Sequence, residues 1–153
     1  MREDVVTATA GEMRALGRRL AASLRAGDLL VLSGPLGAGK TTLIQGIGDG
    51  LGVRGPITSP TFVIARAHPS LRGGPALVHA DAYRLGGVAE IDDLDLDSGV
   101  DGSVTAVEWG EGLAEGLSDD RLEISIGITG DTRTVRIRGV GSRWAGAALA
   151  PAG

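Results

Sequence analysis

The sequence has no cysteine, which rules out disulfides and thiolate metal sites. It also lacks any apolar run near the ~18 residues that a membrane span needs. Its first stretch, MREDVVTATAGEMRALG, has two acids by position 4 and no apolar segment of the kind a secretory signal carries. A cytoplasmic protein with no membrane association is therefore expected. Positive charge is in short supply, with a formal net charge of −4 and a pI near 5.1. Stand-alone nucleic-acid binders carry a basic stripe, so any contact with tRNA is expected to be indirect, through a protein partner. Lysine is almost missing. Fourteen arginines accompany a single lysine, Lys40, which excludes the N-K-x-D motif that GTP switches use to read guanine. A chain that uses arginine everywhere else and lysine once points to a position that needs a compact ammonium on a flexible stem.

What is present reads as one domain spanning 1–153. Met13, Leu16, Leu20 and Leu24 recur at helical spacing, predicting an amphipathic helix over 11–26. DLLVLS (28–33) reads as a buried strand. Leu43, Ile44, Ile47 and Leu51 mark a second helix, which Gly46, Gly48 and Gly50 should weaken. ITSPTFVIA (57–65) reads as a turn entering a strand, while ALVHAD (76–81) and VTAVE (104–108) are strands that end in acids. Residues 121–139 alternate on either side of Gly130-Asp131 and predict a hairpin. The Gly- and Ala-rich tail, 139–153, is expected to dock loosely, through Trp144 and Leu149. Strands alternating with helices imply an α/β fold: a single three-layer, P-loop NTPase-like domain with a C-terminal β-hairpin.

The strand at 28–33 runs straight into GPLGAGKTT, Gly34 to Thr42, and a helix follows. This is G-x-x-x-x-G-K-T in strand–loop–helix context. Glycines let successive N–H groups turn inward around phosphates, and the helix adds its positive end to the same anion. Lys40 suits the β- and γ-phosphates, and the Thr41 hydroxyl is the natural Mg²⁺ ligand. Chance is a poor explanation: this composition would yield about 0.003 such matches.

Phosphoryl transfer also needs a carboxylate near the metal and a group that orients the nucleophile. Asp81 and Glu108 both end buried strands, and in a largely parallel sheet those ends share the edge that carries the phosphate loop. His79, two residues before Asp81, reads as a core histidine satisfied by its neighbours. The run Glu90, Asp92, Asp93, Asp95, Asp97 and Asp101 has no interleaved base and lacks the EF-hand pattern. It reads as a solvated face or a docking surface for a basic partner.

Together GPLGAGKTTLIQGI (34–47), TSPTFVI (58–64), HADAYRL (79–85) and VEWGEG (107–112) resemble the bacterial tRNA threonylcarbamoyladenosine biosynthesis ATPases, the TsaE family, over about residues 10–138. The ordered set S-P-T-F, H-x-D-x-Y-R and E-W is far more specific than the phosphate loop alone. The resemblance implies an α/β domain around a central mixed sheet. It also implies a partner-dependent ATPase in the complex that makes threonylcarbamoyladenosine at position 37 of certain tRNAs, with ATP and Mg²⁺ as cofactors. Gly34 and Gly37, Ala38, Gly39, Lys40, Thr41 and Thr42 would hold the phosphates. Thr41 and Glu108 would bind Mg²⁺, with Asp81 as the catalytic acid at the nucleotide. Ser59 and Thr61 would form a switch that senses the γ-phosphate, while Tyr83, Arg84 and Trp109 would position the acids or meet the partner. The segment at Thr9 and Ala10, with Arg133 on the hairpin, would approach adenine. Met13 stands where the family often has threonine.

Two other functions fit the same phosphate loop. A small-molecule kinase would normally carry an arginine-rich lid, and residues 66–72 offer only Arg66 and Arg72. A module that binds ATP without turning it over is the other, and the two strand-end acids argue against it.

Overall fold

The apolar run LLVLS forms β2 (Leu29–Ser33), a strand buried on both faces at the middle of the sheet. Near-continuous apolar character is what a parallel strand covered on both sides requires. The computed structural model describes residues 2–35, 37–53, 65–71, 73–81, 103–108 and 120–146, with the backbone alone for 65–67, 80 and 81. Within these lie β1 (Arg2–Thr7), α1 (Ala10–Ala21), β2, α2 (Lys40–Leu51), β3 (Ala65–His68) and β4 (Ala76–Asp81). β5 (Ser103–Glu108), β6 (Arg121–Thr129), β7 (Thr132–Val140) and a short 3-10 turn at Ser142–Trp144 complete the order.

The described strands form one seven-stranded sheet in the order β1-β7-β6-β2-β5-β4-β3. β6, β2, β5 and β4 run parallel, while β7 and β1 on one flank and β3 on the other pair antiparallel. This is the expected α/β fold with a central mixed sheet and a C-terminal hairpin. The hairpin turns through Gly130-Asp131, with Thr129 opposite Thr132 and Gly130 at φ 59°.

Met13, Leu16 and Leu20 of α1 and Leu43, Ile44 and Ile47 of α2 form one core with Leu30, Leu32, Leu122, Ile124, Ile126, Val135 and Ile137 of the sheet. α1 stops at Ala21, five residues short of the predicted end, because the Asp28 carboxylate accepts the Arg25 N–H at 2.8 Å and draws the chain into a turn. Gly46 and Gly50 of α2, expected to weaken it, meet a packing requirement. A Cβ on Gly46 would lie 2.2 Å from Arg14 O, and one on Gly17 of α1 would lie 2.4 Å from Leu43 O. The two helices therefore meet backbone to backbone.

The start of the tail is held more firmly than expected. Residues 139 and 140 belong to β7, and Trp144 is 1% exposed. Arg143 donates from Nε and Nη2 to the two Asp28 carboxylate oxygens, both at 3.0 Å, and from Nη2 to Ser23 O at 2.8 Å. Among the described residues no helix is long and apolar enough to cross a membrane.

Candidate functional site

The two helices begin in opposite ways. α1 has a full capping box: the Thr9 hydroxyl accepts the Glu12 N–H, and the Glu12 carboxylate accepts the N–H of Thr9 at 3.1 Å. An acid thus sits at its positive end, where the helix dipole favours it. α2 has Gly39 at its N-cap, no side-chain cap and no acid in its first turn. Its first N–H groups and its dipole are left for an outside anion. The glycine-rich loop that begins at Gly34 leads into this bare end.

Backbone geometry explains the loop's glycines. Gly34 has φ +149°, and a Cβ there would lie 2.6 Å from Ile126 O on β6. Gly39 has φ +109°, and a Cβ there would meet the Met13 methyl at 3.1 Å. A side chain is excluded at Gly34 by conformation and by space, and at Gly39 by conformation. Lys40 is buried, and its Nζ donates to Gly34 O at 2.7 Å and to Pro35 O at 3.1 Å. The ammonium is thereby held within the curve of the loop. Ala38 is buried, Gly37 is exposed, and Thr41 and Thr42 are half-buried.

Both predicted acids reach this end of the sheet. Asp81 pairs in register with Glu108, and Glu108 with Leu32, one residue before the end of β2. Neighbouring strands lie about 4.8 Å apart, so the two acid-bearing backbones stand side by side next to the strand that feeds the loop. Glu108 is 5% exposed, and its Oε2 lies 2.5 Å from His79 Nε2. His79 is buried, as expected of a core histidine, and the neighbour that it bonds is this acid.

A cavity of about 180 Å³ opens beside the loop, lined by Thr7, Thr9, Ala10 and Met13 on one side, Gly37 to Gly39 and Thr42 beneath, and Asp131 and Arg133 of the hairpin. Ala10, Arg133 and the Gly37–Gly39 stretch, which the family resemblance sets at one nucleotide, line this one cavity. Thr7 and Asp131 are additions. Thr7 faces Arg133 across the β1–β7 pair, and its buried hydroxyl has no hydrogen-bond partner among the described residues. Ser59, Thr61, Tyr83, Arg84 and Trp109 lie outside the described residues.

Residues 7–136 match the family model described as Threonylcarbamoyl adenosine biosynthesis protein TsaE. The chain belongs to the TsaE family. It is similar to the tRNA threonylcarbamoyladenosine biosynthesis protein TsaE of Streptomyces coelicolor, 63% identical over 139 residues, 87% of this chain and 94% of that protein. The protein of the same description from Bacillus subtilis is 39% identical over 135 residues, 87% of this chain and 83% of the relative. Among solved structures, the crystal structure of Bacillus subtilis YdiB superposes with a TM-score of 0.74 at 34% identity, covering 95% of this chain and 90% of that one.

The stretch that matches the TsaE model runs from Thr7 at the cavity to Arg136 in β7. It therefore takes in every described residue of the site. Sequence reasoning passed over Thr7 because the strand that carries it is half charged. It passed over the His79–Glu108 contact because the pair lies on two strands 29 residues apart.

Proposed function

We propose that this chain binds Mg²⁺-ATP and hydrolyses it as part of tRNA threonylcarbamoyladenosine biosynthesis, with turnover stimulated by the protein partners of the threonylcarbamoyl-transfer complex. The observation that carries the reading is the uncapped, acid-free start of α2 behind the phosphate loop, with Asp81 and Glu108 in register at the same sheet edge. Gly34, Gly37, Ala38, Gly39, Lys40 and Thr42 would bind the phosphates. The base would enter the cavity between Ala10 and Arg133, where the Thr7 hydroxyl awaits a partner.

Mg²⁺ fits the donor set. Thr41 and Glu108 offer hard oxygens, and no group of three or more His, Cys, Asp or Glu among the described residues is placed to hold a metal alone. Mg²⁺ commonly takes one or two protein oxygens and completes its shell with phosphate and water. When bound it would supply charge neutralisation at the γ-phosphate. Asp81 would orient the attacking water, and Lys40 would exchange loop carbonyls for phosphate oxygens.

A net charge of −4 supports a protein route to tRNA, since affinity for nucleic acid rests on Lys and Arg neutralising phosphates. The test is ATP hydrolysis by the purified chain, with and without the partner transferase proteins and with a panel of small acceptors. We expect slow Mg²⁺-dependent hydrolysis that rises with the partners, and a loss of at least ~10²-fold in Asp81→Asn with little change in ATP affinity. Fast turnover without partners, or phosphate transfer to an acceptor, would refute it.

A further inference from the structure

His79 stands opposite Ala106 in the β4–β5 register, and Glu108 lies two residues further along β5. The imidazole therefore reaches diagonally across the strand pair to the carboxylate. Both groups are buried, His79 at 0% and Glu108 at 5% exposure. The carboxylate can only accept, so the 2.5 Å contact has His79 Nε2–H donating to Oε2. The second ring nitrogen, Nδ1, is buried with no partner among the described residues. An apolar side chain would fill this core position without leaving a polar atom unmatched. What the histidine adds is its bond to Glu108. A donor committed to Oε2 fixes the Glu108 carboxylate and leaves Oε1 outside that bond.

We propose that His79 is a positioning residue that holds Oε2 of Glu108 so that Oε1 is preset for Mg²⁺ at the nucleotide. The proposal rests on Glu108 being a metal ligand. Hydrogen bonds of this kind to a ligating carboxylate commonly carry 10–100-fold in metal affinity.

The experiment uses the full chain and the fluorescent nucleotide N-methylanthraniloyl-ATP. Its affinity is measured in EDTA, and the apparent Mg²⁺ affinity is then read by titrating MgCl₂ into the nucleotide complex. His79→Leu should weaken the apparent Mg²⁺ affinity ~10–100-fold and leave nucleotide affinity in EDTA unchanged. His79→Gln, whose amide can donate to the same oxygen, should recover most of the loss, whereas the shorter His79→Asn should not. In a Glu108→Gln background, His79→Leu should add nothing, because coupled residues are not additive. Equal weakening with and without Mg²⁺ would make His79 merely structural and overturn the proposal. Unchanged Mg²⁺ affinity in His79→Leu, with a loss in Glu108→Gln, would overturn the positioning role alone. Unchanged Mg²⁺ affinity in Glu108→Gln would remove the ligand and the proposal together. If His79→Leu does not fold, the Gln and Asn variants decide: equal Mg²⁺ affinities in the two would overturn it.

Discussion

Lys40 is the single lysine of the chain, and it is buried, an uncommon place for an ammonium. Loop carbonyls satisfy it, so removing it disturbs the local hydrogen bonds of the loop rather than the apolar core. Lys40→Ala should fold with a near-parental circular-dichroism melt and lose ~10–100-fold in ATP affinity, the worth of one charge-assisted hydrogen bond. Lys40→Arg should not rescue it, because a planar fork cannot take the place of a point donor inside a tight loop. Equilibrium nucleotide titration checks both. Lys40 was legible in the sequence because the loop motif has fixed spacing and lysine occurs nowhere else. Asp81 and Glu108 were legible as acids closing apolar strands. The partner of Glu108 was not, since a contact between strands depends on a register that local pattern does not encode.

The elements repeat this contrast between local and distant information. LLVLS, ALVHAD and VTAVE announced strands through their composition, and the hairpin announced itself through alternation around Gly130-Asp131. β1 gave no such signal. In REDVVT two valines are adjacent, Val5 half-buried and Val6 64% exposed, and charges fall on both faces. Charge along an edge strand deters unwanted strand pairing, and it also hides the strand from a hydrophobic pattern. The helix seam misled in another way. Glycine lowers helix propensity by about 1 kcal/mol, which is a reason to distrust α2 until α1 is seen against it. Gly46→Ala gains that propensity but drives a methyl into Arg14 O. We expect a net loss of ~2 kcal/mol or more, because the obstacle is backbone and the helices must separate. Gly11→Ala is the control: its Cβ would meet only Thr9 Oγ1, at an ordinary 3.7 Å, so it should be neutral or stabilising by up to ~1 kcal/mol. Urea unfolding of the two variants tests the seam.

At the scale of the whole molecule, the parallel centre supplies the glycine-rich loop and the acids, and the antiparallel flank supplies the far wall of the cavity. At the other end of β2 the chain is tied by Arg143 and Asp28, 115 residues apart. The Asp28 side chain is 4% exposed and the Arg143 side chain 17%, with the guanidinium also 4.2 Å over the Trp144 ring. Arg143→Ala would leave a buried carboxylate without its cation and should destabilise by ~3–5 kcal/mol. Since the tie lies away from the loop, the folded fraction should keep the proposed ATP affinity, measurable by denaturant unfolding and nucleotide titration side by side. Nothing in the tail sequence set Arg143 apart from thirteen other arginines. The pairing of β1 with β7 has a further effect, on the order of events during synthesis. Strand Arg2–Thr7 leaves the ribosome among the first residues, yet its only strand partner among the described residues, Thr132–Val140, comes near the end. At 5–20 residues per second, the first strand waits roughly ten seconds for its partner. The wall that joins Thr7 to Arg133 therefore closes as one of the last steps of folding.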